Sequence, residues 1–528
     1  MGSEMCIRDS SMATFIQTLL RRLPAFLLAV CLALPALAQT PQPQELKDYQ
    51  AAVALKDPAA KLKELERIKA AYPPSAVSSY VEAQILAAKA ALAGTLDELL
   101  ALQQQNQAST KGVQLLVNLG AYPGQLLDHA KVATFDKAKV LAAVKAYRDQ
   151  ARKVAADPAV LAAASEQNRE YLPIMANDLE LAVAKAQLAS GETAPALASL
   201  EAYLKGGGNP SAGYQLVRAD ILEALNRPKE AYEALLAAAV ENNQAGLRRA
   251  RAAYAKLNGK EDGFDALLEA RSKELPFHPT PVKPGPAWKG KAVLAELFTG
   301  SECPPCVAAD FAFDGLLEAY PATALVVLEY HLPIPGPDPM MNPASKLRQD
   351  YYGVNSTPTM LFDGQDKTTG GGGRSAAASS YKRVSAKVQE RLDGAPGVAL
   401  KLKAARKGDL VSAALVLGKA PEGVDFHLVL VQAQQDHKGG NKLMVHKMVV
   451  RDLVTLATTA TTHAFDLAAS EKATDAYLTD FEQTSTRFKG FTFPLRRSAI
   501  SRQGLKVVLF AQERASKRVL QAVIADVE

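Results

Sequence analysis

At about residue 277 the apolar pattern of this chain changes period, and that change bounds its architecture. From Gln44 to Leu275, Ala, Leu, Glu and Lys dominate and apolar residues recur at helical spacing. From Gly397 onward, short segments alternate apolar and polar residues in strand fashion. Between them, residues 291–393 carry both signatures. The proline-rich stretch FHPTPVKPGPAWKG, 277–290, marks a boundary, with the single tryptophan Trp288 inside it. A chain of 528 residues has room for about three domains. The expected fold class is therefore multidomain: an all-α helical-repeat domain over 40–276, a central α/β domain over 291–393 and a C-terminal β-sandwich over 396–528.

The helical half repeats itself. NDLELAVAKAQLASGETAPALASLEAYL pairs two helices around Gly191, and YQLVRADILEALNRPKEAYEALLAAA pairs two more around Asn226. Ala196 and Ala231 each follow those turn residues by five positions and lie 35 residues apart. That spacing is close to the 34-residue period of tetratricopeptide repeats, and the segment 176–257 resembles them. Small residues there let paired helices approach closely. A TPR-like stack implies a concave surface for a peptide or partner; the alternative is a plain Ala-rich bundle. His129 is isolated and expected on a surface or between helices.

The N-terminus sets the compartment. Residues 1–11 fit no structural pattern and read as an artefact; residues 12–38 read as a signal peptide. Arg21 and Arg22 supply its positive region, PAFLLAVCLALPALA its apolar core, and Ala36-Leu37-Ala38 its cleavage signal. The mature protein is expected to be periplasmic or secreted, with no membrane span. Of four cysteines, Cys6 and Cys31 fall in the part expected to be removed, leaving Cys303 and Cys306. The net charge of +6 is spread without a basic block, so nucleic acid is not an expected partner.

Cys303-Pro304-Pro305-Cys306 follows an apolar strand-like run, KAVLAELF, and precedes a helix-like segment. Two cysteines at this spacing are the usual sign of a redox-active dithiol. Downstream come a second strand (324–332), a helix (PASKLRQDYYG), a strand entered through Thr357-Pro358, a hairpin and a final helix. This order resembles the thioredoxin-like superfamily over 291–393, about a fifth of the chain. The wording ELFTGSECPPC and STPTMLFDG is similar to that of secreted thioredoxin-domain proteins.

The resemblance implies site residues. Cys303 would cap the helix and act as nucleophile, its thiolate favoured by the helix dipole, and Cys306 would resolve. Pro304 and Pro305 remove two N–H donors, so the Cys303 thiolate would lean on the Cys306 N–H, which favours a reductase or isomerase over a strong oxidant. Pro358 corresponds to the cis-proline, with Thr357 offering a backbone contact to substrate. Glu296, seven residues before Cys303, is a candidate proton relay; Leu297 stands where the family usually has its buried acid. Glu302 replaces the tryptophan common before the first cysteine, and a carboxylate there should raise the neighbouring thiol's pKa.

Other features carry less. His331 with Met340, Met341 and the cysteines would suit Cu(I). Gly370–Gly373 lacks the lysine and spacing of a phosphate loop and reads as a flexible hairpin tip. Seven alternating segments, GFTFPLRR (490–497) among them, suggest an Ig-like sandwich in which His427, His437, His446 and His463 are strand or loop residues. The expected function is thiol–disulfide exchange on protein clients, with an unidentified electron donor and no cofactor. The alternatives are a non-catalytic interaction protein with a structural disulfide and a Cu(I)-handling protein. A reduction potential separates oxidant from reductant.

Overall fold

Helices in the first half begin where the sequence offers a side-chain acceptor. Asp57, Asp136 and Ser211 each accept a backbone N–H at a helix start, and Thr95 forms a capping box with Glu98. In the computed structural model the described residues are 44–75 and 77–528, so the expected artefact and signal peptide, with Cys6 and Cys31, lie outside them. Two compact units divide the chain, Met1–Ala234 and Leu235–Glu528.

Thirteen α-helices precede the first strand among the described residues. In chain order they are α1 (Gln44–Ala54), α2 (Pro58–Ala71), α3 (Ser78–Leu92), α4 (Leu96–Ser109), α5 (Gly112–Leu127), α6 (Lys137–Ala156), α7 (Pro158–Ala163), α8 (Glu166–Ala189), α9 (Thr193–Lys205), α10 (Ala212–Ala224), α11 (Pro228–Val240), α12 (Gln244–Asn258) and α13 (Phe264–Lys273). The expected hairpin turns are present: Gly191 between α8 and α9, and Asn226 between α10 and α11, have φ of 81° and 55°. Ala196 and Ala231 are buried, as close helix pairing requires. His129 is also buried, its ring within 3.2 Å of the Ala90 carbonyl, which fits the interhelix alternative.

The second unit is built on a mixed sheet. Its strands are β1 (Val293–Thr299), β2 (Leu325–His331), β3 (Thr359–Phe362), β4 (Gln365–Thr369), β5 (Leu400–Lys407), β6 (Leu410–Leu417), β7 (Val424–Asp436), β8 (Val445–Leu456), β9 (Thr462–Asp466), β10 (Leu505–Glu513) and β11 (Val519–Asp526). Helices α14 (Val307–Ala319), α15 (Pro343–Tyr352), α16 (Ala377–Leu392) and α17 (Leu467–Thr484) complete it. Eight strands form one sheet in the order β11-β10-β7-β8-β2-β1-β3-β4, and β5-β6-β9 form a second. The β1–β2 and β2–β8 pairs are parallel; the other pairs are antiparallel.

This topology corrects the expected boundary at 396. The C-terminal strands do make two layers around an apolar core, but their larger sheet continues through β8 and β2 into the strands beside the cysteines. The cause lies in β7 and β10, which are apolar on both faces. Phe426, Leu428 and Leu430 join the core facing β5 and β6, while Val429 and Val431 join the core beneath α14–α16. Leu509 and Phe510 divide in the same way. A strand covered on both sides reads as a continuous apolar run, and LVLV (428–431) is one. GFTFPLRR is not a strand. Pro494 has no N–H for a ladder, and Phe493 packs instead with Leu478 of α17 and Met341. Trp288 is half-buried against the core beneath α14–α16, and its indole N–H donates to the Lys291 carbonyl at 2.7 Å.

Candidate functional site

The two cysteines sit where β1 turns into α14. Cys303 is extended, Pro304–Cys306 makes one 3-10 turn, and α14 follows. Each proline takes a place where a missing N–H costs nothing, and the remaining N–H groups stay local: Cys303 donates to Gly300 and Cys306 to Cys303, each at 3.1 Å. The Cys306 N–H therefore faces a carbonyl, not the Cys303 sulfur. The sulfurs form a disulfide with an S–S distance of 2.06 Å. Both cysteines are fully buried, at 0% exposure.

Three segments are bonded to the motif and the residues around it. The Thr357–Pro358 bond is cis, and the Thr357 hydroxyl lies 3.3 Å from Cys303 Sγ and 2.7 Å from the Ile334 carbonyl. Thr357 thus meets Cys303 through its side chain. The glycine tip 370–373 is docked, which corrects the expectation of a flexible turn. Gly372 donates to the Pro305 carbonyl at 2.7 Å and accepts the Ala308 N–H at 2.9 Å. A Cβ on Gly371 would stand 1.9 Å from Pro305 O, so this approach requires glycine. The third segment is the β7–β8 loop. Asn441 N–H donates to the Ser301 carbonyl at 2.9 Å, and Gly440 N–H donates to the Glu302 carboxylate at 3.0 Å.

Glu296 does not serve this site, contrary to expectation. Neighbouring residues of a strand point to opposite faces, and Glu296 points toward α15. There it pairs with Arg348 at 2.6 Å and accepts the hydroxyls of Tyr330 and Tyr352. Arg348 also reaches Gln512 of β10 at 2.9 Å. The cluster fastens α15 to the sheet.

The carboxyls behind the disulfide come from elsewhere. Leu297 is in register with Glu329, which places Glu329 on the α14 face. Neither Glu329 oxygen has a hydrogen-bond partner among the described residues. Burial, with Asp310 and Asp314 adding, pushes its carboxyl well above the usual range. Asp310 lies four residues after Cys306 and accepts the Thr299 hydroxyl at 2.9 Å. Burial pushes its carboxyl up to about 7, with His331 and Thr299 opposing. Asp314 is pushed up to about 6 by burial, against Lys447 at 3.4 Å. Asp310, Asp314 and Glu329 thus form an acid cluster of raised pKa, which begins one helical turn beyond Cys306.

His331 is buried and bonded to Asp338 at 2.9 Å. Asp338 also accepts the N–H groups of Ser301 and Met340, at 2.6 and 2.8 Å. Burial pushes its carboxyl up, but His331 and those bonds outweigh it and hold it at about 2. Met341 packs with Leu478 and Phe493. Among the described residues, no group of three or more His, Cys, Asp or Glu side chains is arranged to hold a metal ion. His427 and His446 are buried, and burial holds both at about 3.

The structure brings Cys303, Cys306, Thr357 and Pro358 together and leaves Glu296 apart. Asp310, Glu329, Asp338 and Asn441 escaped the sequence reading. Only Asp310 carried a local signal, as an acid one helical turn beyond a cysteine. Compared with known proteins, the chain matches no family model, no curated protein and no solved structure.

Proposed function

We propose that this protein is a thiol–disulfide oxidoreductase in which 291–393 is a thioredoxin-like module, the helical repeats are TPR-like and recruit the client, and the C-terminal strands are an Ig-like sandwich fused to the module. The observation that carries it is the Cys303–Cys306 disulfide at a strand–helix junction, flanked by Thr357 at 3.3 Å and backed by carboxyls of raised pKa. The proposed setting is periplasmic or secreted; no described helix is long and apolar enough to cross a membrane.

In the reduced protein the Cys303 thiolate attacks one sulfur of a client disulfide. The client S–S bond breaks, a mixed disulfide forms, and the departing client sulfur takes a proton. Cys306, deprotonated, then attacks Cys303 and releases the second client thiol. The client gains two electrons, and the protein is left as the Cys303–Cys306 disulfide, to be reset by an external dithiol donor. A carboxyl titrating near neutrality suits the Cys306 proton. Reduced Cys306→Ala is expected to trap mixed disulfides with clients, seen as reducible bands on a non-reducing gel. Cys303→Ser should trap none. No adduct with the Cys306→Ala protein would sink the proposal.

A second reading is a non-catalytic binding protein with a structural disulfide. Full burial of both cysteines favours it. The trapping experiment separates the two.

A further inference from the structure

A disulfide exchanges only when a nucleophile reaches one of its sulfurs, and here neither cysteine has exposed surface. Bonded to Gly300–Glu302, the residues that lead into the motif, is a short, internally braced loop. His437 N–H donates to Met444 O at 3.1 Å, Gly439 N–H to Leu443 O at 3.0 Å, and Leu443 N–H to Asn441 Oδ1 at 3.0 Å. From this frame Asn441 reaches the two residues that lead into the motif. Its backbone N–H donates to Ser301 O at 2.9 Å and its side-chain amide to Gly300 O at 3.2 Å. Gly440 N–H holds the Glu302 carboxylate at 3.0 Å. At Gly439 the approach to the Ser301 backbone requires glycine, and at Gly440 a side chain would displace the Glu302 carboxylate. A Cβ at Gly439 would lie 2.5 Å from Ser301 O, and one at Gly440 would lie 2.0 Å from Glu302 Oε2.

We propose that residues 439–441 form a clasp that keeps the Cys303–Cys306 disulfide closed to thiols and clients until it is released. It deepens the oxidoreductase reading and rests on it only for its purpose: the closure is a property of the fold. Release separates the β7–β8 loop from Gly300–Glu302 and leaves the sheet intact. Glu302, which the sequence presents only as a misplaced charge beside a thiol, becomes one half of the latch.

The test measures reduction of the full-length oxidised protein by tris(2-carboxyethyl)phosphine, followed by maleimide labelling of the freed thiols. The phosphine takes oxygen from water, becomes phosphine oxide and leaves two thiols, so no client is needed. Wild type is expected to react at least about tenfold more slowly folded than in denaturant. Asn441→Ala, which removes two hydrogen bonds, should recover roughly tenfold or more of that rate. Glu302→Ala should also speed reduction, whereas Glu302→Gln, which keeps an acceptor for Gly440, should stay near wild type. Far-UV circular dichroism and melting confirm each fold, and the Glu302 pair decides if Asn441→Ala does not fold. Equal rates for folded and denatured wild type would overturn the clasp, as would folded variants no faster than wild type. Failure to trap clients with Cys306→Ala would overturn the oxidoreductase reading and leave these rates as they are.

Discussion

Asp310 shows how one residue ties the site to the stability of the fold. Its carboxyl is held at about 7, against 3.8 in the unfolded chain, because burial penalises the charge. Between about pH 4 and 7 the native state therefore binds the extra proton, so stability falls as pH rises through that window. Three pKa units correspond to roughly 4 kcal/mol, and the raised carboxyl of Glu329 acts in the same sense. Asp338 acts in the opposite sense. Held at about 2, it stabilises the fold above about pH 4 and loses that contribution as pH falls toward 2. Asp314 and Glu329 act in the same sense as Asp310, and His427 and His446, held at about 3, in the opposite one. The drop due to Asp310 is therefore read as the difference between wild type and Asp310→Asn in urea unfolding of the oxidised protein at pH 5 and pH 8. An unchanged slope in that variant would remove Asp310 as its source. The sequence announced the two cysteines and Pro358, because their chemistry is written in spacing. It could not separate Glu296 from Glu329, because which strand acid sits under α14 depends on pairing between segments.

At the scale of elements, the glycine tip 370–373 and the motif turn act as one piece. Gly372 exchanges two backbone bonds with Pro305 and Ala308, so the first turn of α14 is held from outside as well as by its own ladder. Gly371→Val should force the tip off Pro305, at a cost of about 1–3 kcal/mol. Faster hydrogen exchange at the Ala308 amide would report it, and unchanged protection there would argue that the tip contributes little. The order of strands and helices from 291 to 393 was legible, since each segment has its own period and breakers. The docking of the tip was not. Four glycines carry no pattern, and their partner lies some 65 residues earlier.

For the second unit as a whole, the continuous sheet matters most. The sequence marks strands well but not which sheet they enter, because alternation describes a strand's own faces and not its neighbour. The difference is testable with a chain ended at residue 395. That chain keeps β1–β4 but strips β2 of β8, and it exposes Val326, Leu328 and Tyr330 near the new edge. It is expected to aggregate or to unfold without a cooperative transition in circular dichroism. A soluble, cooperative fragment would show that the module stands alone.

The pairing of Glu329 with Val449 also bears on how the chain acquires its structure. As synthesis proceeds from the N-terminus, β2 emerges about 120 residues before the strand that covers it. Closure of so long a loop is slow, since its entropy is lost before the contact forms. For that interval β2 lacks its β8 neighbour, and the loop that bonds to Gly300–Glu302 has not yet been made. The surface hidden in the finished fold is thus exposed during biogenesis. Oxidation of Cys303 and Cys306 before β8 arrives would then lock the disulfide in place beneath the loop that follows.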